Sequence, residues 1–287
     1  MLFGDIIRSF RTNNGLSQTN FVDVVQRSNF NFNNLDVVTL SRWERGVTTP
    51  HLKRQNELLD LLGVNIFEVW ETNDATTILN GFKNKLNSNG YIDTNANFEV
   101  ETTIINSMNS HLLGEFLNFI NVIFEYEDNL IFVEMVELGL SRKSIIEKIL
   151  NQYNGELTLV SVNGQLIGHL LSSNYSLFSD FIKQKQFPKN EKVNLVITFN
   201  CTHYLSFIST MGREAYKFIQ SLNPNTKFFV LLKNKKMFDL FFLLGFEYRS
   251  IATDNNSMKV MHSDSKRMKS KRAWMDIIAN YKGDDDE

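Results

Sequence analysis

The spacing of apolar residues in the first seventy positions constrains this chain more than any other feature. Apolar side chains recur there at intervals of three and four residues, the period of a helix, in four consecutive segments. The second segment opens at Ser17, a favourable N-cap, and the third is predicted from about Asp36 to Arg45, ending at Gly46. An asparagine-rich loop is expected over 27–34. Four or five short helices with short turns can enclose one small core, so the pattern predicts an all-α domain over residues 1–70.

The rest of the chain has a different character. Residues 71–97 are polar and rich in Asn and Thr, and we interpret them as a linker. From Phe98 strand-like and helix-like segments alternate, which is typical of a mixed α/β sheet. Asn163-Gly164, between two β-branched runs, indicates a hairpin with a two-residue turn. The expected fold is therefore α + α/β, with a second domain over 98–262 and a basic helical tail with an acidic end over 263–287.

Composition limits the classes of protein that remain. A chain of 287 residues is long enough for two domains. Its single cysteine excludes a disulfide framework within one chain and any all-Cys zinc site, and such usage fits a reducing compartment. The N-terminus is charged, and no apolar run approaches the length of a membrane span. We therefore expect a cytoplasmic protein.

Two motifs in the first domain resemble the Cro and lambda-repressor type of helix-turn-helix, the XRE family. Leu16–Gln18 matches the opening of that family's second helix, and Ser41–Gly46 matches the close of its recognition helix. Both motifs stand in the family's order. The resemblance implies a transcriptional regulator, bacterial or phage-encoded and nucleoid-associated, that binds a double-stranded DNA operator. Because such domains commonly act on two half-sites, it also implies a homodimer.

The residues of the third helix can be assigned to two faces. If Leu35, Leu40 and Trp43 point into the core, the opposite face is free to enter a major groove. Valine methyl groups on that face can pack against thymine methyls, and Arg42 can reach guanine or phosphate. Basic residues flanking the helix would contact phosphates and set register. The candidate DNA contacts are Gln18, Val37, Val38, Thr39, Ser41, Arg42, Arg45, Lys53 and Arg54.

Charge balance and loop length leave an alternative open. Residues 1–70 carry seven Lys or Arg and seven Asp or Glu, so the basic excess common in DNA-binding domains is missing. The loop between the second and third helices is longer than the family's usual tight turn. A different rotation of the third helix would place Val37 and Val38 in the core. The alternative to DNA binding is a protein-interaction domain.

The second domain resembles the GNAT acyltransferase fold. In the run 234–248, Asn234 follows a strand, Phe241 stands seven residues further on, and the triplet 244–246 reads Leu-Gly-Phe, as in that superfamily. The resemblance implies acetyl-CoA or another acyl-CoA, held by its pyrophosphate at a helix N-terminus. The candidate cofactor contacts are Met211, Gly212, Arg213 and Asn234.

Several residues depart from what acyl transfer requires. Thr210 replaces the first glycine of the family's pyrophosphate loop, and Phe207 replaces its basic or amide residue. Phe241 stands where many members have a tyrosine, and it has no hydroxyl to donate a proton. Cys201 and His203 would share one face of a strand, but without a third orienting group we interpret them as packing and surface residues.

The preferred hypothesis combines both resemblances. It is a sequence-specific DNA-binding regulator whose GNAT-like domain serves dimerisation, ligand sensing or partner binding, without catalysis. The alternative is an active N-acetyltransferase that uses acetyl-CoA and is tethered to DNA or regulated through it. The basic run 266–272 is expected to be a solvated face, with a phosphate contact or a partner's acidic surface as alternatives.

Overall fold

A computed structural model describes residues 3–66, 81, 83, 84, 86, 100–127, 129–174, 193–221, 226–232, 235–252 and 257–285. The expected linker 71–97 falls almost wholly outside these residues. The first described segment contains four α-helices: α1 (Phe3–Asn13), α2 (Gln18–Ser28), α3 (Val37–Glu44) and α4 (Leu52–Leu61). A short 3₁₀ turn, Phe30–Phe32, interrupts the loop between α2 and α3.

Side-chain caps explain where two of these helices begin. The Ser17 hydroxyl accepts a hydrogen bond from the Asn20 amide at 3.1 Å, and the Asp36 carboxylate accepts one from the Thr39 amide at 2.6 Å. Such caps satisfy amide groups that have no partner inside the helix. The chain leaves α3 through Gly46, whose φ of +66° is the left-handed conformation that glycine tolerates best.

The second part of the chain forms a mixed α/β structure. Within the described residues it contains a seven-stranded sheet with strand order β1-β2-β3-β4-β5-β7-β6. The β4–β5 pair is parallel and the other neighbouring pairs are antiparallel. The strands are β1 (Val100–Ile105), β2 (Glu156–Val162), β3 (Gln165–Asn174), β4 (Val193–Cys201), β5 (Lys227–Leu232), β6 (Glu247–Ala252) and β7 (Ser257–Asp264). This architecture is consistent with the GNAT-like expectation.

Helices cover both faces of the sheet. One face carries α5 (Leu117–Glu127), α6 (Leu130–Glu137) and α7 (Arg142–Gln152). The opposite face carries α8 (Tyr204–Phe207), which continues through a π-helical turn, Ile208–Gly212, into α9 (Arg213–Gln220). The same face carries α10 (Lys235–Leu243), α11 (Ser265–Lys269) and α12 (Arg272–Asp285).

The β2–β3 hairpin has the turn that its sequence predicts. Asn163 and Gly164 both adopt positive φ, 50° and 74°. Positive φ at both central residues defines the type I′ turn, whose twist matches that of two antiparallel strands. The hairpin prediction is therefore confirmed.

The C-terminal segment corrects the expectation of a tail over 263–287. Trp274, Met275, Ile277 and Ile278 of α12 are fully buried. They pack in the same core as the helices that follow β4 and β5. The segment is thus an integral layer of the second domain. In the part of the chain that the structure describes, no helix has the length and apolar character needed to cross a membrane.

Candidate functional site

The two faces of α3 differ sharply in exposure. Leu40 is fully buried and Trp43 is only 5% exposed, whereas Val38 is 59% exposed. Arg42 and Arg45 are exposed on the same outward side. The predicted rotation of the helix therefore agrees with the burial of its core residues. The outward face presents one apolar and two guanidinium side chains.

Three other α3 candidates are less exposed than expected. Val37 is half-buried and packs against the core, so its placement towards solvent has to be corrected. Thr39 and Ser41 are also half-buried. Val37 stands three residues before the buried Leu40, so helical spacing places the two side chains on neighbouring parts of one face. The outward face is consequently narrower than the sequence indicated.

Three further candidates lie outside α3. Lys53 is exposed at the start of α4. Arg54 is half-buried, and its guanidinium lies over the rings of Phe32 and Trp43, at 5.3 and 5.6 Å from their centroids. This stacking holds Arg54 against the core rather than extending it into solvent. Gln18 is half-buried, and its amide is turned towards Glu44.

Glu44 ties α3 to the two preceding helices. Its carboxylate is 3% exposed and accepts hydrogen bonds from Arg11 Nε at 2.6 Å and Nη2 at 3.1 Å. Gln18 Nε2 donates to the same carboxylate at 2.8 Å. Burial acts to raise the pKa of Glu44, but the bonds from Arg11 and Gln18 outweigh it and hold the pKa below its ordinary value. This bidentate pair fixes the orientation of α3 relative to α1 and α2.

In the second domain, β4 and β5 pair only at their N-terminal ends. The last parallel pair is Val196–Val230, and β4 runs on to Cys201 without a partner in β5. Helix α8 begins directly after β4. Its N-cap, His203, accepts a hydrogen bond from the Leu205 amide at 3.2 Å and forms a capping box with Ser206. The Leu205 amide, which an anion at this helix end would use, is thus engaged by the helix's own cap.

The candidate cofactor contacts do not form a cradle at this point. Met211 and Gly212 are buried in a π-helical turn, and the Arg213 amide donates to the Ile208 carbonyl oxygen within the helix. A Cβ atom on Gly212 would lie 3.4 Å from Ile277 Cγ2, so α12 packs directly against it. The Arg213 side chain donates to Glu156. Asn234 lies outside the described residues. As placed here, Met211, Gly212 and Arg213 do not fit the pyrophosphate of acyl-CoA.

Aromatic side chains fill the space between the helices that follow β4 and β5. The ring of Phe241 lies 5.9 Å from that of Phe199 and 6.4 Å from those of Phe207 and Trp274. Phe241 is fully buried, whereas Phe242 is 57% exposed. The buried rings leave the region apolar and without a proton donor at the position of Phe241.

Cys201 and His203 have separate structural roles. Cys201 is buried in β4, and burial raises the pKa of its thiol above the ordinary value. A thiol of this kind is protonated at neutral pH and is a poor nucleophile. His203 caps α8, and burial lowers the pKa of its imidazole. Both observations agree with packing residues and not with a nucleophile pair.

The structure brings together a groove with apolar walls and a few polar groups, which the sequence did not predict. His169 of β3 is 5% exposed, and its Nε2 lies 3.2 Å from Thr198 Oγ1 and 3.5 Å from Glu127 Oε1 at the end of α5. The groove is lined by Val122, Ile123, Glu127, Leu166, Ile167, Gly168, His169, Asn200 and Thr202. A carboxylate beside apolar walls can accept hydrogen bonds from an ammonium group. The hydrophobic pattern of each strand did not predict that Glu127 and His169 lie next to each other.

Comparison with known proteins gives partial likenesses of fold. No family model matches the chain, and no curated protein matches it. An uncharacterised protein from Bacillus halodurans has a TM-score of 0.41 and 15% identity, covering 66% of this chain and 95% of its own. An N-acetyltransferase from Staphylococcus aureus Mu50 has a TM-score of 0.38 and 11% identity, with coverages of 58% and 98%.

A third similar structure is aminoglycoside acetyltransferase AAC(6')-Ib in complex with coenzyme A and kanamycin. It has a TM-score of 0.34 and 13% identity, covering 61% of this chain and 99% of its own. Because these TM-scores lie below 0.5, the likenesses carry no argument about fold or activity. They give no support to the helix-turn-helix expectation.

Proposed function

We propose that the chain binds duplex DNA through the outward face of α3 and acts as a transcriptional regulator. One observation carries the proposal: Leu40 and Trp43 anchor α3 in the core while Val38, Arg42 and Arg45 project from it. An exposed valine one turn before two exposed arginines is poorly suited to bulk water. The same arrangement suits a major groove, where thymine methyl groups and guanine edges lie side by side.

The proposed contacts divide into two kinds. Val38 and Arg42 would read base edges, the first by apolar contact and the second by a bidentate bond to guanine. Arg45 and Lys53 would contact phosphates and position the domain without reading sequence. The Glu44 carboxylate would keep α3 at a fixed angle, because Arg11 holds it from α1. Binding as a dimer would supply the affinity that a nearly neutral domain lacks.

Selection from a random duplex library tests the proposal directly. The full chain should enrich one sequence over bulk competitor at modest salt. Arg42→Ala should then weaken binding to that sequence by about 1–3 kcal/mol and leave non-specific binding nearly unchanged. Arg142→Ala is the matched control, since this exposed arginine lies in the second domain. Absence of any enriched sequence would contradict the proposal.

A second candidate is suggested by the groove around Glu127 and His169. We infer that it accepts an amine, because a carboxylate with 18% of its side chain exposed faces apolar walls there. Amine binding alone would give the second domain a sensing role. The N-acetyltransferase alternative also requires acyl-CoA, which the buried Gly212 region does not accommodate.

Calorimetry separates these two roles of the second domain. A series of n-alkylamines should bind the full chain and should lose affinity in Glu127→Gln, which retains shape but not charge. Glu125→Gln, on the exposed side of α5, is the control. Acetyl-CoA should produce no heat. Release of thiol from acetyl-CoA in the presence of a bound amine would instead establish the acetyltransferase.

A further inference from the structure

Strand β6 forms one edge of the sheet. Among the residues that the structure describes, it pairs with β7 on one side and with no strand on the other. The four consecutive residues 247–250 are all exposed, so the described chain leaves this edge open to solvent. An open edge strand presents a row of backbone N–H and C=O groups that can pair with another chain.

Aromatic side chains lie beside this edge on one face of the sheet. Tyr248 of β6 is 49% exposed, and Phe242 at the end of α10 is 57% exposed. The ring of Phe238 connects them, since it lies 5.1 Å from that of Tyr248 and 6.4 Å from that of Phe242. Exposed aromatic patches are typical of surfaces where proteins meet. The edge therefore combines an open backbone ladder with an apolar surface.

The other face of β6 carries two opposite charges. Glu247 and Arg249 are separated by one residue, so both side chains point to the face opposite to Tyr248. Glu247 also accepts a hydrogen bond from Arg267 of α11. This bond and the charges of the two arginines hold the pKa of Glu247 below its ordinary value. Its carboxylate is therefore ionised at neutral pH, and the edge carries a negative charge followed by a positive one.

A second copy of this chain matches the charge pattern in one register. When identical antiparallel strands are related by a two-fold axis perpendicular to the sheet, residues equally far on either side of the axis face each other. An axis at Tyr248 places Glu247 of each copy opposite Arg249 of the other. An axis at Glu247 or at Arg249 places like charges opposite each other, which is destabilising. An axis at Ser250 gives neither charge an opposite charge across the strands.

We propose that two copies of this chain pair through β6, antiparallel, with the two-fold axis at Tyr248. The pairing joins the two sheets into one, with two Glu247–Arg249 pairs on one face and the two Tyr248 rings side by side on the other. Backbone hydrogen bonds supply affinity, and the charge pairs fix the register. The pairing itself does not rest on the proposed function. Its consequence, a dimer that reaches two DNA half-sites, does.

Disulfide trapping tests the register. Residues directly opposite in an antiparallel pair have Cα atoms about 4.5–5.5 Å apart, within the range that a disulfide spans. Tyr248→Cys should therefore form a disulfide-linked dimer of the full chain on mild oxidation. Ser250→Cys is the matched control, because its two copies would stand about 13 Å apart along the strands and should not link. The native Cys201 is buried and gives the background.

Charge reversal tests the same interface without a new thiol. Sedimentation velocity of the full chain over a concentration series gives the dissociation constant of the dimer. Glu247→Lys should raise this constant at least about tenfold, because two opposite-charge pairs become like-charge pairs. Adding Arg249→Glu should return it to within about threefold of the wild-type value, since the opposite charges face each other again. Glu125→Lys, at an exposed position of α5, is the control and should leave the constant unchanged.

Three results would overturn the proposal. A wild-type chain that stays monomeric up to its solubility limit would remove the interface. Linking of Ser250→Cys as efficient as that of Tyr248→Cys would exclude the register. A dimer unaffected by Glu247→Lys would have to form through another surface. Because none of these measurements includes DNA, failure to enrich an operator sequence would contradict only the proposed function.

Discussion

The buried carboxylate of Glu44 makes the most quantitative prediction. Glu44→Ala removes two hydrogen bonds from Arg11 and one from Gln18, at 2.6, 3.1 and 2.8 Å. It also leaves the Arg11 guanidinium, whose side chain is 14% exposed, without its counter-charge. Breaking a fully buried pair costs about 3–5 kcal/mol, and the residual exposure of Arg11 places the expected loss near the lower end, about 3 kcal/mol.

Urea unfolding followed by circular dichroism measures this loss. Arg11→Ala and the double variant complete a cycle, in which the double substitution should cost less than the sum of the singles. Glu125→Ala provides the control, because its pair with Arg142 is exposed and should contribute less than about 1 kcal/mol. A loss below about 1 kcal/mol for Glu44→Ala would refute the reasoning, since the pair would then behave like a surface salt bridge.

Three further predictions concern the second domain. Trp274→Ala should lower the free energy of unfolding by about 3–5 kcal/mol in urea titrations, because the ring is fully buried. A loss as small as that of a surface substitution would contradict the core position of Trp274. Gly168→Val should lower the free energy of unfolding by about 1–3 kcal/mol in the same titration, since a Cβ there would lie 2.8 Å from Ser206 Cβ. An unchanged free energy would show that Ser206 can move. Burial lowers the pKa of His262 below its unfolded value of about 6.5. The stability that His262 contributes should therefore be complete above that pH and decline as pH falls through the folded pKa. His262→Leu should reduce this decline in thermal melts, and an unchanged pH profile would exclude His262 as its source.

Local signals predicted many of the helices and strands of this fold. Ser17 and Asp36 cap the helices that they were expected to cap, and Asn163-Gly164 makes the predicted turn. The inward residues of α3 follow from helical periodicity. These features depend on neighbours a few residues apart, so the chain determines them before any long-range contact forms. That α3 binds DNA stays a prediction.

Other features had weaker local signals. Strand β6 was not predicted, because its sequence, Glu-Tyr-Arg-Ser-Ile-Ala, has no strict alternation of polar and apolar residues. The helix α12 was interpreted as a basic tail, since the preceding lysines and arginines dominated the composition. The burial of its apolar residues is evident only in the tertiary structure, where the helices after β4 and β5 lie beside them.

The features of the candidate sites also divide into those that follow from the sequence and those that follow from tertiary packing. The sequence by itself determined which residues of α3 point inward, because a helix repeats every 3.6 residues wherever it stands. Tertiary structure alone decided that Glu127 meets His169 and that α12 covers Gly212. Each of these results from packing between elements distant along the chain, and neither periodicity nor capping specifies which distant surfaces meet.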